Sequence, residues 1–121
     1  MPLQVELVSP ERILYSGEAE MVVCRTIGGG EVAFLAGHAP FMAALEISRV
    51  KVKGTSDGDV IAAVHGGFVH VRDNKVIVLS DVAELAAQVD ADRARRAKDN
   101  AGDDEAARRR AEVRLDVAGT S

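Results

Sequence analysis

The chain has 121 residues, of which 47% are hydrophobic and only 3% aromatic. A chain of this length can bury a core without disulfide or metal staples, so we expect one principal domain with room for an appendage. The 19 acidic and 15 basic residues give a net charge of −4, and this balance excludes a general nucleic-acid-binding surface.

The N-terminal ten residues lack the basic segment and the long apolar segment of a secretory signal. No window approaches the roughly 18 apolar residues that a membrane-spanning helix needs. We therefore expect a chain that is neither secreted nor membrane-spanning by itself. Cys24 is the only cysteine, which rules out an internal disulfide or a thiolate metal site and predicts a small core residue.

Alternation of apolar and polar residues predicts β-strands through the first two thirds of the chain. Leu3, Val5 and Leu7 recur with a period of two, and the valines and bases of Arg49–Lys53 fall on opposite faces. Residues 41–45 are apolar and alanine-rich, and their pattern does not separate helix from strand. The predicted strands cover residues 3–8, 13–15, 21–26, 32–35, 49–53, 60–64, 68–72 and 76–79. Their number and spacing predict a β-sandwich.

Glycines and a proline punctuate this strand region. Gly28–Gly30 ends a strand, and no Gly-Lys-Ser/Thr or helix follows, so we interpret it as a tight turn and not as a phosphate loop. Gly37 and Pro40 flank a corner inside an apolar run. The pair Gly66 and Gly67 lies within a strand pattern and predicts a bulge or a close backbone approach.

Near Asp81 the composition changes from β-branched residues to Ala, Arg, Asp and Glu. We place the domain boundary here, with a sandwich over residues 1–83 and a helical hairpin over residues 84–121. Asp90 is a suitable N-cap for a first helix over residues 91–98. A second helix is predicted from Glu105 to about Val117. Both helices are short and weakly apolar, so each needs a partner surface.

The charges of this tail allow two interpretations. Acidic residues precede basic ones in the second helix, as the helix dipole favours, and the tail is nearly neutral overall. It is either a solvated hairpin with ion pairs along its surface or a surface that docks on an acidic partner. The arginines available for such docking are Arg108, Arg109, Arg110 and Arg114.

No catalytic or metal-binding constellation emerges from the sequence. His38, His65 and His70 have no cysteine or second histidine at ligand spacing, and none has a nucleophile and an orienting group in the pattern of a catalytic site. We therefore expect neither an enzyme nor a metal site.

Two motifs follow one another in the strand region. The first is carried by Gly30, Glu31, Gly37, His38, Ala39 and Pro40, and the second by Gly66, Gly67, Phe68, Val69, Val71, Val76, Val78, Leu79 and Asp81. In this order and spacing they resemble the epsilon subunit of the bacterial F-type ATP synthase. The likeness extends from about residue 3 to residue 97, and the helical tail matches only in character.

This resemblance implies a β-sandwich of about ten short strands followed by a two-helix hairpin. It further implies a non-catalytic subunit of the central stalk that turns with the rotor, couples proton flow to ATP synthesis, and modulates or inhibits ATP hydrolysis through its helices. Its implied partners are the gamma subunit and the c ring, at the cytoplasmic face of the cell membrane. By resemblance, Glu31 contacts the c ring and His38 lies at the gamma interface.

The resemblance also extends to a nucleotide-binding motif found in some family members. Asp90 and Arg93 match it, Val89 departs conservatively from the isoleucine or leucine of its first position, and Glu84 lies five residues upstream of Val89, whereas Asn100 replaces a further arginine. No cofactor is required, but this match implies ATP as a regulatory ligand. An alternative function is therefore a free-standing ATP-sensing module.

The short tail and acidic composition are similar to those of actinobacterial members. By resemblance, the tail arginines contact the catalytic beta subunits and inhibit hydrolysis.

Overall fold

The computed structural model describes residues 2–120, and the side chains of residues 2–119. Eight strands are followed by a 3-10 turn at Ala86–Gln88 and two helices. The strands are β1 (Leu3–Ser9), β2 (Arg12–Ala19), β3 (Met21–Thr26), β4 (Gly30–Leu35), β5 (Phe41–Thr55), β6 (Gly58–Arg72), β7 (Lys75–Leu79) and β8 (Ala83–Leu85). The helices are α1 (Ala91–Asp99) and α2 (Glu105–Thr120).

The strands form one continuous sheet that folds over on itself as a sandwich. Its order is β2-β1-β7-β6-β5-β3-β4, and β8 pairs with β6 beside this path. All pairs are antiparallel except β1 with β7, where Val5 lies opposite Val76. The inward-facing residues of both halves meet in a single core, which confirms the predicted mainly β fold with a helical tail.

Aliphatic side chains fill this core, as the low aromatic content requires. Leu3, Val5 and Leu7 are all fully buried, in agreement with their predicted alternation. Phe34 is the largest fully buried side chain of the described residues. Cys24 is buried on β3, and this burial, with a smaller effect of the Glu31 charge, raises the pKa of its thiol to about 12.

The expectation of about ten short strands is wrong in number. Residues 60–64 and 68–72 belong to the one strand β6, because Gly66 and Gly67 adopt φ angles of 85° and 120° that bend the strand without ending it. The ambiguous segment 41–45 is strand, continuous with 49–53 in β5. Two long strands therefore replace three predicted short strands and the segment left open between helix and strand.

The helical hairpin lies folded down against the sheet. Ala63 on β6 is buried together with Val113 and Val117 of α2, and Ile47 of β5 packs against this cluster. Helix α1 contacts α2. The boundary expected between residues 83 and 84 falls within β8, which is part of the sheet. No helix within residues 2–120 is long and apolar enough to cross a membrane.

Candidate functional site

The junction between sheet and hairpin contains a cluster of ionisable side chains. Arg114 Nε of α2 donates to Glu84 Oε1 of β8 at 2.5 Å. His65 Nε2 of β6 lies 3.7 Å from the same oxygen, and only 3% of the His65 side chain is exposed. Arg110 completes the set of charges that act on the imidazole. We call His65, Glu84, Arg110 and Arg114 the junction cluster.

Burial determines the protonation state of His65. Neither ring nitrogen has a hydrogen-bond partner within the described part of the chain. Loss of hydration, and secondarily the positive charge of Arg114, lower the pKa of His65 to about 4, whereas the Glu84 charge acts in the opposite direction. The imidazole is therefore neutral at pH 7, and Arg114 is the principal cationic partner of Glu84.

A cavity of about 410 Å³ opens beside this cluster, between β8 and the two helices. Three of the four residues predicted for ATP lie on its wall, namely Glu84, Asp90 and Arg93. The fourth, Val89, packs instead against the cluster that holds α2 on the sheet. Asp90 Oδ1 accepts from the backbone N–H of Arg93 at 3.0 Å, which confirms it as the N-cap of α1. The full lining is Val82, Glu84, Gln88, Asp90, Arg93, Ala94, Ala97 and Arg114.

The four tail arginines have different partners. Arg108 Nη2 donates to the backbone carbonyl of Gly102 at 2.5 Å, within the hairpin itself. Arg109 Nε donates to the backbone carbonyl of Ile47 on the sheet at 3.1 Å. Arg110 and Arg114 belong to the junction cluster. In the folded-down hairpin, at least two of the four arginines are therefore engaged with the sandwich.

Glu31 lies near the beginning of β4, and His38 lies beyond the other end of that strand, in the corner that leads to β5. The Glu31 side chain is 63% exposed, and its nearest cation is Arg25 Nη2 at 3.9 Å. His38 is half-buried, with its ring edge-on to Phe34 at a centroid distance of 5.0 Å. Asn74 Oδ1 accepts from the backbone N–H of Gly37 at 2.6 Å and ties this corner to the β6–β7 turn. The two predicted contact residues are thus separated by the length of a strand.

Apolar side chains form a row across five strands of the outer sheet surface. The register pairs Ala44 with Phe68, Phe68 with Leu79, Leu79 with Val8, and Val8 with Ile13, and paired residues share one face. Phe68 is 55% exposed, Leu79 48% and Ile13 63%. We call these five residues the apolar row. Strand alternation gives each residue its face, but the row itself depends on pairings between distant strands.

The residues described contain no group of three or more His, Cys, Asp and Glu side chains placed to hold a metal ion. The candidate sites for a partner or a ligand are the apolar row, the exposed Glu31 and the cavity beside the junction cluster.

Comparison with known proteins gives a consistent result for sequence and fold. The family model for the ATP synthase delta/epsilon chain, β-sandwich domain, matches residues 2–86. An ATP synthase epsilon chain of Streptomyces griseus is 46% identical over 115 residues, which cover 93% of this chain and 92% of that relative. The epsilon chain of Streptomyces avermitilis is 47% identical over 116 residues, with the same coverage.

Solved structures reproduce the fold at lower identity. A chain of the Euglena gracilis mitochondrial ATP synthase (OSCP/F1/c-ring) is 23% identical with a TM-score of 0.73, over 94% of this chain and 75% of that one. A chain of the Tetrahymena thermophila mitochondrial ATP synthase (central stalk/c-ring) is 22% identical with a TM-score of 0.68, over 100% and 98%. With its sandwich matched by the family model and its tail included in the Streptomyces alignments, this chain belongs to the epsilon-chain family of ATP synthase.

Proposed function

We propose that this chain is a non-catalytic rotor subunit of an F-type ATP synthase, peripheral to the cytoplasmic face of the cell membrane. Its sandwich would bind the gamma subunit and the c ring, and its hairpin would restrain ATP hydrolysis. The single observation that carries the proposal is the apolar row, because a contiguous exposed apolar surface on a stable sandwich is typical of a site for another protein.

We propose that the apolar row is the contact surface for the gamma subunit. Phe68 lies near its centre, between Ala44 and Leu79, where a partner would exclude water most completely. The half-buried His38 precedes β5 and packs beside Phe41 at a ring-centroid distance of 6.1 Å. At the gamma interface, His38 would thus act indirectly, by supporting β5, the strand that carries Ala44 of the apolar row.

We propose that Glu31 faces the c ring. An exposed ion pair at 3.9 Å contributes little, so the carboxylate is available to accept hydrogen bonds from a polar partner. Formation of a crosslink from Glu31→Cys to a cysteine in the polar loop of the c subunit would support this orientation, and failure at every loop position would contradict it.

Removal of the hairpin is expected to raise the ATPase rate of a reconstituted complex several-fold, since the tail would then no longer reach the catalytic subunits. The truncation should follow Val89, because β8 and the 3-10 turn belong to the folded sandwich. The measurement compares full-length and truncated chains on the same gamma-containing complex. A matched control replaces Arg95, an exposed α1 residue paired with Asp92, with glutamine.

The truncation experiment also tests the partner. Full-length and truncated chains should both co-purify with gamma, since the sandwich carries that contact. An unchanged ATPase rate with both chains bound would show that the hairpin has only a structural role.

ATP binding is a second proposed function, favoured by the cavity beside the junction cluster. Its volume of about 410 Å³ falls within the range of roughly 300–1,000 Å³ typical of small-molecule sites. Arg93 and Arg114 supply two cations for phosphate oxygens, and Glu84 supplies an acceptor for an amino or hydroxyl group. Such a site would serve either a regulated rotor subunit or a free-standing ATP sensor, and co-purification with gamma distinguishes the two.

Titration calorimetry with millimolar ATP is expected to give a saturable heat that Arg93→Gln weakens at least about five-fold, because one charge-assisted contact is removed. Arg95→Gln, on the same helix but outside the cavity lining, is the control and should bind as the unmodified chain does. Absence of heat from the unmodified chain would exclude this site.

A further inference from the structure

The junction cluster places a buried histidine where the hairpin meets the sheet. The His65 side chain is only 3% exposed, and its two ring nitrogens lack hydrogen-bond partners among the described residues. Burying a neutral imidazole without hydrogen-bond partners costs some free energy, and burying a charged one without partners costs far more. The docked hairpin is therefore stable only while His65 is neutral. We propose that protonation of His65 releases the hairpin from the sandwich, which makes this junction an acid-sensitive contact.

The charges that face His65 disfavour an imidazolium. From α2, Arg114 and Arg110 both act on the ring as positive charges. From β8, Glu84 is the only acidic group among those that act on it, and its Oε1 already accepts from Arg114 Nε at 2.5 Å. From β5, the residue opposite His65 is the apolar Ile47. At 3.7 Å, His65 Nε2 is too far from Glu84 Oε1 for a hydrogen bond.

The contact that would open is limited in its apolar content. Its buried apolar residues in the described part of the chain are Ala63, Val113 and Val117, and the apolar side chains around them, Ile47, Ile61, Ala86 and Val89, are only partly buried. The contact also includes polar interactions, among them the Arg109 bond to the Ile47 carbonyl at 3.1 Å and an ion pair of 3.6 Å between Arg49 and Asp116. A modest electrostatic change can therefore shift the balance between docked and released α2.

The direction of the pH dependence follows from the two states of the histidine. In the docked state the pKa of His65 is lowered to about 4, and exposure on release returns it towards 6.5. The docked state therefore binds fewer protons, and docking is fully favoured above pH 6.5 and weakens as the pH falls towards 4. The ratio of docked to released chains should fall about ten-fold between pH 7.5 and pH 5.5.

The test measures docking directly in the isolated full chain. Spin labels on Ala33→Cys in β4 and Ala106→Cys in α2, both exposed positions, report the distance between sheet and hairpin. Cys24 is buried with a raised pKa and does not compete for the label. A Val113→Ala background weakens docking, so that both distances are populated at pH 7.5.

With His65 present, the ratio of docked to released chains should fall about ten-fold from pH 7.5 to pH 5.5. In the His65→Gln chain the same ratio should change less than about two-fold. His70→Gln removes an exposed histidine and should leave the response intact. An equal fall in the His65→Gln chain, or no fall with His65 present, would overturn the proposal.

A second measurement avoids any substitution. The imidazole resonances of His65 should titrate well below pH 6.5 in the unmodified docked chain, and a pKa near 6.5 with the hairpin still docked would contradict the proposal. Both measurements concern the isolated chain, so they stand apart from gamma binding and ATPase restraint. Only the effect of release on hydrolysis rests on the proposed function.

Discussion

Replacing Phe68 with glutamate is expected to lower the affinity of the chain for the gamma subunit by at least about 100-fold. Phe68 lies near the centre of the apolar row and is 55% exposed in the isolated chain. A partner that binds there can bury this exposed part of the ring. The variant removes an aromatic contact and places a charge within a row of apolar side chains. Burying an unpaired carboxylate costs at least about 3 kcal/mol, which corresponds to the expected loss.

The measurement is the equilibrium binding of purified gamma to the variant and to the unmodified chain. Ile27→Glu is the matched control: Ile27 is 64% exposed, in the β3–β4 turn and outside the row, and this change should leave gamma affinity within about three-fold because it lies outside the contact. Because both side chains are already largely exposed, neither change should greatly lower the free energy of unfolding. Equal affinities for Phe68→Glu and the unmodified chain would show that gamma binds elsewhere.

Replacing Gly67 with alanine is expected to destabilise the sandwich by at least about 3 kcal/mol, a large part of the stability of a typical domain. Two causes add. The φ angle of 120° at this position is unfavourable for a residue with a side chain. A Cβ would also overlap the backbone carbonyl oxygen of Leu79 and approach Ser80 Cα at 2.9 Å, so β6 and the end of β7 would have to move apart.

Gly66→Ala separates these two causes. Gly66 also has a positive φ, 85°, but a Cβ there meets its nearest atom, the Leu45 carbonyl oxygen, at 3.9 Å. Only the backbone strain remains, so the expected loss is about 1–2 kcal/mol. Chemical denaturation of the two variants measures the difference in the free energy of unfolding. Equal losses would show that the close approach at Gly67 relaxes without cost.

The local sequence pattern was sufficient to predict most of the strands and both helices. The alternation of Leu3, Val5 and Leu7 predicted both a strand and its buried face, since a strand turns successive side chains to opposite sides. Asp90 predicted the beginning of α1, because an N-cap acts within one turn of the helix. The paired glycines predicted a bulge or a close backbone approach within the strand, and Gly67 makes a close approach to Leu79.

Continuity of the long strands was not predictable in the same way. A glycine pair at positive φ can end a strand or bend it, and the outcome at Gly66 and Gly67 depends on β5, which pairs along both halves of β6, whereas β7 pairs only with residues 68–72. The segment 41–45 became strand for a similar reason, since its pairing with residues 67–71 of β6 overrides the helix preference of its alanines.

The sequence by itself determined most strand positions, where the two helices begin, the aliphatic core and the family to which this chain belongs, because these depend on local periodicity, capping residues and ordered motifs. The tertiary structure decided which residues meet. The apolar row needs pairings among five strands, and Glu84 and Arg114 are 30 residues apart. The charges of Arg110 and Arg114 reach His65 because α2 packs on β6. Contacts of this kind depend on strand register and helix docking, which no single segment specifies.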